Sequence, residues 1–115
     1  MKYFTEDEFV MDGTNVFRLM DANFLALLDV CRGIAGVKFV ITSSFRTLRK
    51  NLAVSGASNS LHLKGRAVDI ACTNGKERAR IIKAALAVGL SVGVMKNGLH
   101  LDDGDVQIVF HYYDQ

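Results

Sequence analysis

The sequence has no proline, no tryptophan and only two cysteines among its 115 residues. Cys31 and Cys72 form no CxxC motif and are too few for a disulfide framework, so we expect two reduced thiols in a protein made in the cytoplasm. Neither sign of charge dominates, because 14 basic residues are balanced by 12 acidic ones and the net charge is +2. This balance gives no electrostatic footprint for DNA or RNA, and no nucleic-acid partner is expected.

Long apolar segments are also missing. The longest uninterrupted apolar runs have about five residues, far short of the roughly 20 that a transmembrane helix needs. The opening residues, MKYFTEDEFV, lack the apolar stretch of a signal peptide. We therefore expect that the protein does not insert into a membrane and that it is made in the cytoplasm without a signal peptide. Any action outside the cell would then depend on release by another agent.

The composition that remains is that of an ordinary globular protein, with 50% hydrophobic and 23% charged residues. The length suits one domain. Because no linker, repeat or low-complexity tract interrupts the chain, we expect residues 1–115 to form a single unit, and we expect this unit to be a monomer.

Local patterns predict helices and strands in an α+β order. Helices are expected to begin at Thr5, at Asp21 and at Asn74, each of which can cap a helix N-terminus. The second helix runs to about residue 35 and the third to about residue 88. Strands are predicted at 37–43, 66–71, 91–95, 98–102 and 106–112.

Two of the connecting segments carry predictions of their own. Residues 11–20 are expected to form a loop that turns at Gly13. Residues 44–61 are polar, with at most one or two helical turns, and long loops inside compact domains are often functional. Gly98 and Gly104 predict hairpin turns that join the last three strands into a meander. The order as a whole predicts an antiparallel or mixed sheet with flanking helices.

Two of the three histidines stand in segments that offer metal ligands. His62 and Asp69 lie in SLHLKGRAVDI, and His100 lies in GLHLDD. Two imidazoles and one carboxylate suit zinc and leave a fourth position for water, which is the layout of a catalytic site. Each residue also has an ordinary interpretation, because a lone histidine is more often a hydrogen-bonded residue than a ligand. Asp69 could equally pair with Arg46 or Arg66.

Strand geometry adds a further indication. His100 and Asp102 are two residues apart on a predicted strand and therefore share one face of the sheet, whereas Leu99 and Leu101 face the other side. One face of the sheet is thus expected to collect polar groups where a core face would not.

Three segments together resemble one family. Residues 60–69, SLHLKGRAVD, match the pattern S-x-H-x-x-G-x-A-x-D, and HLD at 100–102 matches a later H-x-D. Upstream, SSFRT at 43–47 looks like the serine–aromatic–arginine segment of the same proteins. Over roughly residues 37–112 the sequence resembles the zinc D-alanyl-D-alanine carboxypeptidase and murein endopeptidase family, of hedgehog/DD-peptidase fold, and in particular its small phage and bacterial members.

The resemblance implies a role for each matching residue. The ligands of one zinc ion per chain would be His62, Asp69 and His100. Arg46 would bind the substrate, or the charge that develops on the scissile carbonyl oxygen, since a planar and permanently charged guanidinium suits either task. Ser60 would hydrogen-bond near the site and contribute to substrate binding. Gly65 would permit the tight turn between the first ligand and the following strand.

The resemblance also implies an activity. A single zinc peptidase-like domain would hydrolyse peptide bonds next to D-amino acids in peptidoglycan stem peptides, as a carboxypeptidase or an endopeptidase. Without a signal peptide, such an enzyme is expected to act at the cell wall after release, or to be carried on a phage particle.

One position departs from the family pattern. Many members carry a glutamate or aspartate three residues before the last histidine, where it serves as the general base, and this chain has Asn97 there. An amide cannot accept a proton at neutral pH. Asp102 is then either the catalytic base or a partner that orients a ligand histidine. The departure leaves open a catalytically silent domain that binds wall peptide or serves as a virion component.

Overall fold

The structure is a computed structural model that describes residues 1–57, 59–105 and 107–111. It confirms the α+β class, with a five-stranded mixed sheet and flanking helices. The helices are α1 (Ala22–Ala35), α2 (Leu48–Ala53) and α3 (Gly75–Ala87). The strands are β1 (Val10–Met11), β2 (Thr14–Asn15), β3 (Val40–Ser43), β4 (Ala67–Ala71), β5 (Ser91–Val94), β6 (Gly98–Asp102) and β7 (Val109–His111). Short 3-10 helices cover Glu6–Phe9, Phe17–Leu19 and Leu61–Lys64.

The capping residues start the two long helices as predicted. The Asp21 carboxylate accepts a hydrogen bond from the Phe24 backbone N–H at 2.9 Å, and the Asn74 side chain accepts one from Glu77 N–H at 3.0 Å. Each bond satisfies a backbone donor that has no partner inside the helix. Gly36 ends α1 in the left-handed conformation, with a φ of 64°.

The large sheet has the strand order β3-β4-β6-β5-β7. All neighbouring pairs are antiparallel except β5 and β7, which are parallel. The predicted meander is therefore wrong for its last strand, because β6 already has β4 and β5 on its two sides and β7 pairs with β5 instead. That strand is also shorter than the predicted 106–112, of which Val106 and Tyr112 lie outside the described residues.

Two other predicted boundaries are corrected by pairing. The expected loop at 11–20 overlaps the small β1–β2 hairpin, which begins at Val10 and turns at Gly13 with a φ of 80°, and it also includes a 3-10 helix. The strand predicted at 37–43 begins only at Val40. This residue pairs with Ala71, the last residue of β4, so the residues before Val40 have no strand opposite them.

The core lies between one face of the sheet and the helices α1 and α3. Leu99 and Leu101 of β6 are fully buried in it, as are Val68 and Ile70 of β4. The predicted alternation along β6 is thus confirmed, and the residue between the two leucines, His100, lies on the opposite face of the sheet. The core therefore holds in place the two strands that carry polar side chains on their other face.

Two features of composition have structural counterparts. Both cysteines are free, with Cys31 buried in the core and Cys72 half-buried. In the described part of the chain, no helix combines the length and the apolar character that a bilayer-spanning segment requires.

Candidate metal centre

The register of the sheet brings the first two candidate ligands together. Asp69 on β4 and His100 on β6 are directly opposite each other in the antiparallel pair. On the other side of β4, Ser43 is paired with Asp69 after a β-bulge that follows Ile41. A bulge redirects the side chains of an edge strand, and here it places the end of β3 beside the ligand carboxylate.

The third candidate ligand comes from a 3-10 turn that precedes β4. The Ser60 hydroxyl accepts a hydrogen bond from the His62 backbone N–H at 3.2 Å and so caps the turn. Gly65 ends it with a φ of 67°, a conformation that favours glycine. A Cβ atom at Gly65 would also lie 2.4 Å from the Leu19 carbonyl oxygen, so this position has no room for a side chain.

The three candidate ligands converge as the sequence predicts. His62 Nε2 lies 3.3 Å from Asp69 Oδ1, and His100 Nδ1 lies 2.9 Å from the same oxygen. One ligand atom from each residue falls within 4.8 Å of the other two, which is close enough to hold one metal ion. Both imidazoles are buried, while Asp69 is half-buried.

The hydrogen bonds of the two imidazoles determine which nitrogen faces the ligand group. His62 Nδ1 is 2.8 Å from the Ser44 carbonyl oxygen, which can only accept, so Nδ1 carries a proton and Nε2 remains for the metal. His100 Nε2 is 2.7 Å from Asp102 Oδ2 and is fixed in the same way, which leaves Nδ1. Metal-binding histidines typically have such an acceptor on the other nitrogen, and the donor set therefore fits zinc.

The protonation states of His100 and Asp69 depend on each other. Burial disfavours the charged form of His100, but hydrogen bonds to Asp102 and Asp69 outweigh it and raise the pKa of His100 to about 9. Burial would raise the pKa of Asp69, but the hydrogen bond from His100 and the close contact with His62 hold it well below its usual range. Without a metal ion, His100 is thus an imidazolium between two carboxylates at neutral pH.

Arg46 lies beside the ligand group. Its Nη2 atom is 3.6 Å from Asp69 Oδ2 and 3.1 Å from Ser43 Oγ, and its Nη1 atom is 3.1 Å from Asn51 Oδ1. The separation from Asp69 exceeds a hydrogen-bond length, so the guanidinium is an ionic neighbour of this carboxylate and is bound by the two neutral side chains.

These residues share one open cleft with a volume of about 420 Å³. Its lining includes both imidazoles, the Asp69 carboxylate, Arg46 and Ser60. The rest of the lining is formed by Val54, Ser55, Gly56, Ala57, Asn59, Leu61, Met95 and Asp102. The structure therefore brings every residue predicted for the site to a single concave surface with room for a ligand.

The two candidates for a general base have different surroundings. Asn97 is exposed at the turn between β5 and β6 and is not part of the cleft lining. Both oxygens of Asp102 are engaged, since Oδ2 is bonded to His100 and Oδ1 accepts from the Gly104 backbone N–H at 2.9 Å. Among the described lining residues, Asp69 and Asp102 are the only carboxylates.

Two polar groups of the site have no signal in the sequence. The Ser44 group that orients His62 is a backbone carbonyl, so its residue type carries no information. Asn51 lies in a polar segment where nothing distinguishes a buried amide from an exposed one. The third histidine of the chain, His111, is exposed on β7, and the neighbouring Tyr112 and Tyr113 lie outside the described residues.

Two imidazoles and a carboxylate on the wall of an open cleft, with a guanidinium beside them, are an arrangement typical of metal-dependent hydrolases. The sequence profile of the family Peptidase M15 matches residues 2–102. The chain therefore belongs to the Peptidase M15 family, whose members are zinc-dependent. No curated protein matches the chain.

Proposed function

We propose that the chain is a zinc peptidase that hydrolyses peptide bonds next to D-amino acids in peptidoglycan stem peptides, as a carboxypeptidase or an endopeptidase. The observation that carries this proposal is the convergence of His62, Asp69 and His100 in one cleft with Arg46. Family membership supports the peptidase class, and the SLHLKGRAVD and HLD motifs support the substrate. The enzyme would act at the cell wall, after release or as part of a phage particle.

The ligand residues in this proposal are His62 Nε2, an Asp69 oxygen and His100 Nδ1. Zinc in such a site supplies a Lewis acid for the scissile carbonyl and a water of lowered pKa. The Ser44 carbonyl and the Asp102 carboxylate hold the two imidazoles in the orientation that ligation requires. Asp102 is therefore assigned as a positioning residue of His100.

Arg46 is the substrate-binding residue of the proposal. Its guanidinium borders the cleft, where it can donate to the terminal carboxylate of a stem peptide or to the oxygen of the scissile carbonyl. Ser60 borders the same cleft, and its hydroxyl hydrogen is available to the substrate because the oxygen acts as acceptor for the turn.

A second candidate is a catalytically silent domain that binds wall peptide. The observation that favours it is the absence, from the described cleft lining, of any carboxylate besides the ligand Asp69 and the engaged Asp102. General base catalysis is typically worth about 10²–10⁴ in rate, so its loss would leave binding as the main property.

Digestion of purified peptidoglycan separates the two candidates. The zinc-loaded protein is incubated with the polymer and the stem-peptide products are identified by mass spectrometry. We expect new products with the wild type and with the control His111→Ala, whose side chain is exposed, and none with His62→Ala. Binding of a labelled stem peptide without any product would support the silent domain. Neither binding nor product would contradict both candidates.

A further inference from the structure

We propose that Asn51 is a positioning residue for Arg46, because its buried amide holds the guanidinium in place and connects it to the rim of the cleft. The inference rests on the proposed function, in which Arg46 binds the substrate. It adds a residue outside every motif considered above.

The burial of Asn51 is unusual for its helix. α2 has six residues, and Asn51 is 1% exposed, whereas Leu48 and Leu52 are 63% and 69% exposed. A short helix that faced the core for stability would bury its leucines and expose its amide. Because a buried amide is unfavourable without hydrogen-bond partners, its partners must explain its position.

The partners of Asn51 are specific. Its Oδ1 atom accepts from Arg46 Nη1 at 3.1 Å, and its Nδ2 atom donates to the Ala57 carbonyl at 2.9 Å. Its own backbone carbonyl accepts from the Gly56 N–H at 2.8 Å. A guanidinium can only donate and a carbonyl can only accept, so the amide is held in one orientation and a carboxylate could not replace it fully.

Gly56 completes this arrangement. A Cβ atom there would lie 2.1 Å from Asn51 Oδ1 and 2.9 Å from Arg46 Nη1. Gly56 and Ala57 are themselves part of the cleft lining. The amide therefore packs between the guanidinium and the wall of the cleft with no free space, and a shift of this wall would be transmitted to Arg46.

The contacts that remain without Asn51 indicate what it prevents. Arg46 would keep Ser43 as a hydrogen-bond partner, and Asp69 is 3.6 Å away. A small rotation would then shorten the existing ion pair between the guanidinium and the ligand carboxylate to hydrogen-bond length. Asn51 thus holds Arg46 at a distance from Asp69 at which the guanidinium remains available to a ligand in the cleft.

A double-mutant cycle tests whether Asn51 acts through Arg46. In the zinc-loaded protein, Asn51→Ala should lower kcat/KM about tenfold to a hundredfold, as expected for the loss of a hydrogen bond to a charged group, with zinc content unchanged. In an Arg46→Ala background the same change should lower kcat/KM by less than about twofold. The exposed neighbour Arg49→Ala is the matched control and should have no effect in either background.

The conservative variant and the stability measurement separate positioning from folding. Asn51→Asp keeps an acceptor for Arg46 and should retain more activity than Asn51→Ala. All assays are run below the melting temperature of each variant. Equal losses for Asn51→Ala in both backgrounds would assign it a structural role and overturn the proposal, as would normal kcat/KM in the single variant.

A spectroscopic measurement keeps the inference testable if the wild type has no peptidase activity. Hindered rotation of the Arg46 guanidinium should give resolved ¹⁵Nη–¹H signals in the wild type and in Arg49→Ala. These signals should be averaged in Asn51→Ala. Identical Arg46 signals in all three proteins would overturn the positioning role, whereas failure of the proposed function alone would leave the expected difference intact.

Discussion

Two aspartates in this chain are held by different kinds of donor. Asp29 on α1 is 8% exposed and accepts backbone N–H groups from Lys2, Tyr3 and Phe4 at 2.8, 2.8 and 3.1 Å. Asp69 on β4 has a side chain that is 17% exposed. Among the described residues its side-chain partners are His62, His100 and Arg46, and none is a backbone group.

The comparison shows that burial alone does not separate a structural carboxylate from a functional one. Burial would raise the pKa of either group, and in both cases the donors outweigh it and lower the pKa. Backbone amides cannot lose their protons or move away, so Asp29 can only hold the N-terminal segment against α1. Imidazoles can lose a proton, so the donors around Asp69 can be exchanged for a metal ion.

The largest effect is expected from a substitution of Asp69, which would act as a metal ligand whereas Asp29 would not. Asp69→Asn keeps the size of the side chain but removes the anionic ligand, and we expect loss of bound zinc and of turnover. Mutation of a residue that merely supports a ligand typically lowers metal affinity or activity about 10–100-fold, so removal of a ligand should lower them about 10³-fold or more. Elemental analysis, turnover assays and circular dichroism check the expectation. A folded Asp69→Asn variant with one zinc per chain would contradict the ligand assignment.

The second prediction concerns the pH dependence of stability, which should arise from the His100 donor of Asp69 and not from the backbone donors of Asp29. His100 has a raised pKa of about 9 in the folded metal-free protein, against about 6.5 when unfolded. Its contribution to stability is fully present below pH 6.5 and is lost as the pH rises towards 9, by an amount on the order of 3 kcal/mol. The amides that hold Asp29 do not titrate in this window.

Urea unfolding of the metal-free protein between pH 6 and 9.5 measures this loss. His100→Gln should flatten the profile, whereas the exposed control His111→Gln should keep the wild-type slope. Because zinc binding must displace the proton from His100 Nδ1, zinc affinity should also rise with pH across this window. A flat wild-type profile would contradict the assigned protonation of His100.

The third prediction concerns the structural carboxylate. Asp29→Asn replaces one acceptor oxygen with an NH₂ group that faces backbone N–H donors. We expect the free energy of unfolding to fall by about 1–3 kcal/mol, with zinc content unchanged. Urea unfolding of the metal-free variant provides the measurement. A variant of wild-type stability would show that the three amides do not depend on the charge of Asp29.

The smallest effect is expected at Asp102, whose carboxylate has both an imidazole donor and a backbone donor. Asp102 accepts from the His100 side chain and from the Gly104 backbone. In Asp102→Asn the amide oxygen can still accept from His100 Nε2, so we expect zinc affinity to fall by only about tenfold. Competition with a chelator gives the affinity. Loss of most turnover with unchanged zinc affinity would instead assign Asp102 as the general base.

The sequence predicts the conformation around each candidate ligand well because the determinants of that conformation are local. The spacing of the SLHLKGRAVD motif places a capped turn, a left-handed glycine and a strand in sequence. The alternation along β6 places His100 and Asp102 opposite the core face. These relations need only the period of a strand and the conformation of a turn. The convergence of the ligand group also requires the antiparallel register of β4 and β6, which places Asp69 opposite His100.

The features that could not be predicted from sequence are mostly those that depend on contacts between distant segments. The parallel pairing of β7 with β5 follows from the occupation of both sides of β6, which no local pattern encodes. Asn51 is buried because Arg46 and Ala57 offer it hydrogen bonds, and neither partner can be identified from the polarity of residues 44–61. The small hairpin at residues 10–15 has strands of two residues each, too short for an alternating pattern.

The close approach of Gly65 to the Leu19 carbonyl changes how the motif should be used to trace divergence among relatives. Gly65 and the fully buried Ala67 satisfy requirements of packing, whereas His62 and Asp69 satisfy requirements of chemistry. A lineage that substitutes a ligand can lose catalysis and retain its scaffold. One that substitutes the glycine must move the N-terminal segment and damages both. A match to the glycine and alanine positions therefore indicates the scaffold, whereas a match to His62 and Asp69 indicates the metal chemistry.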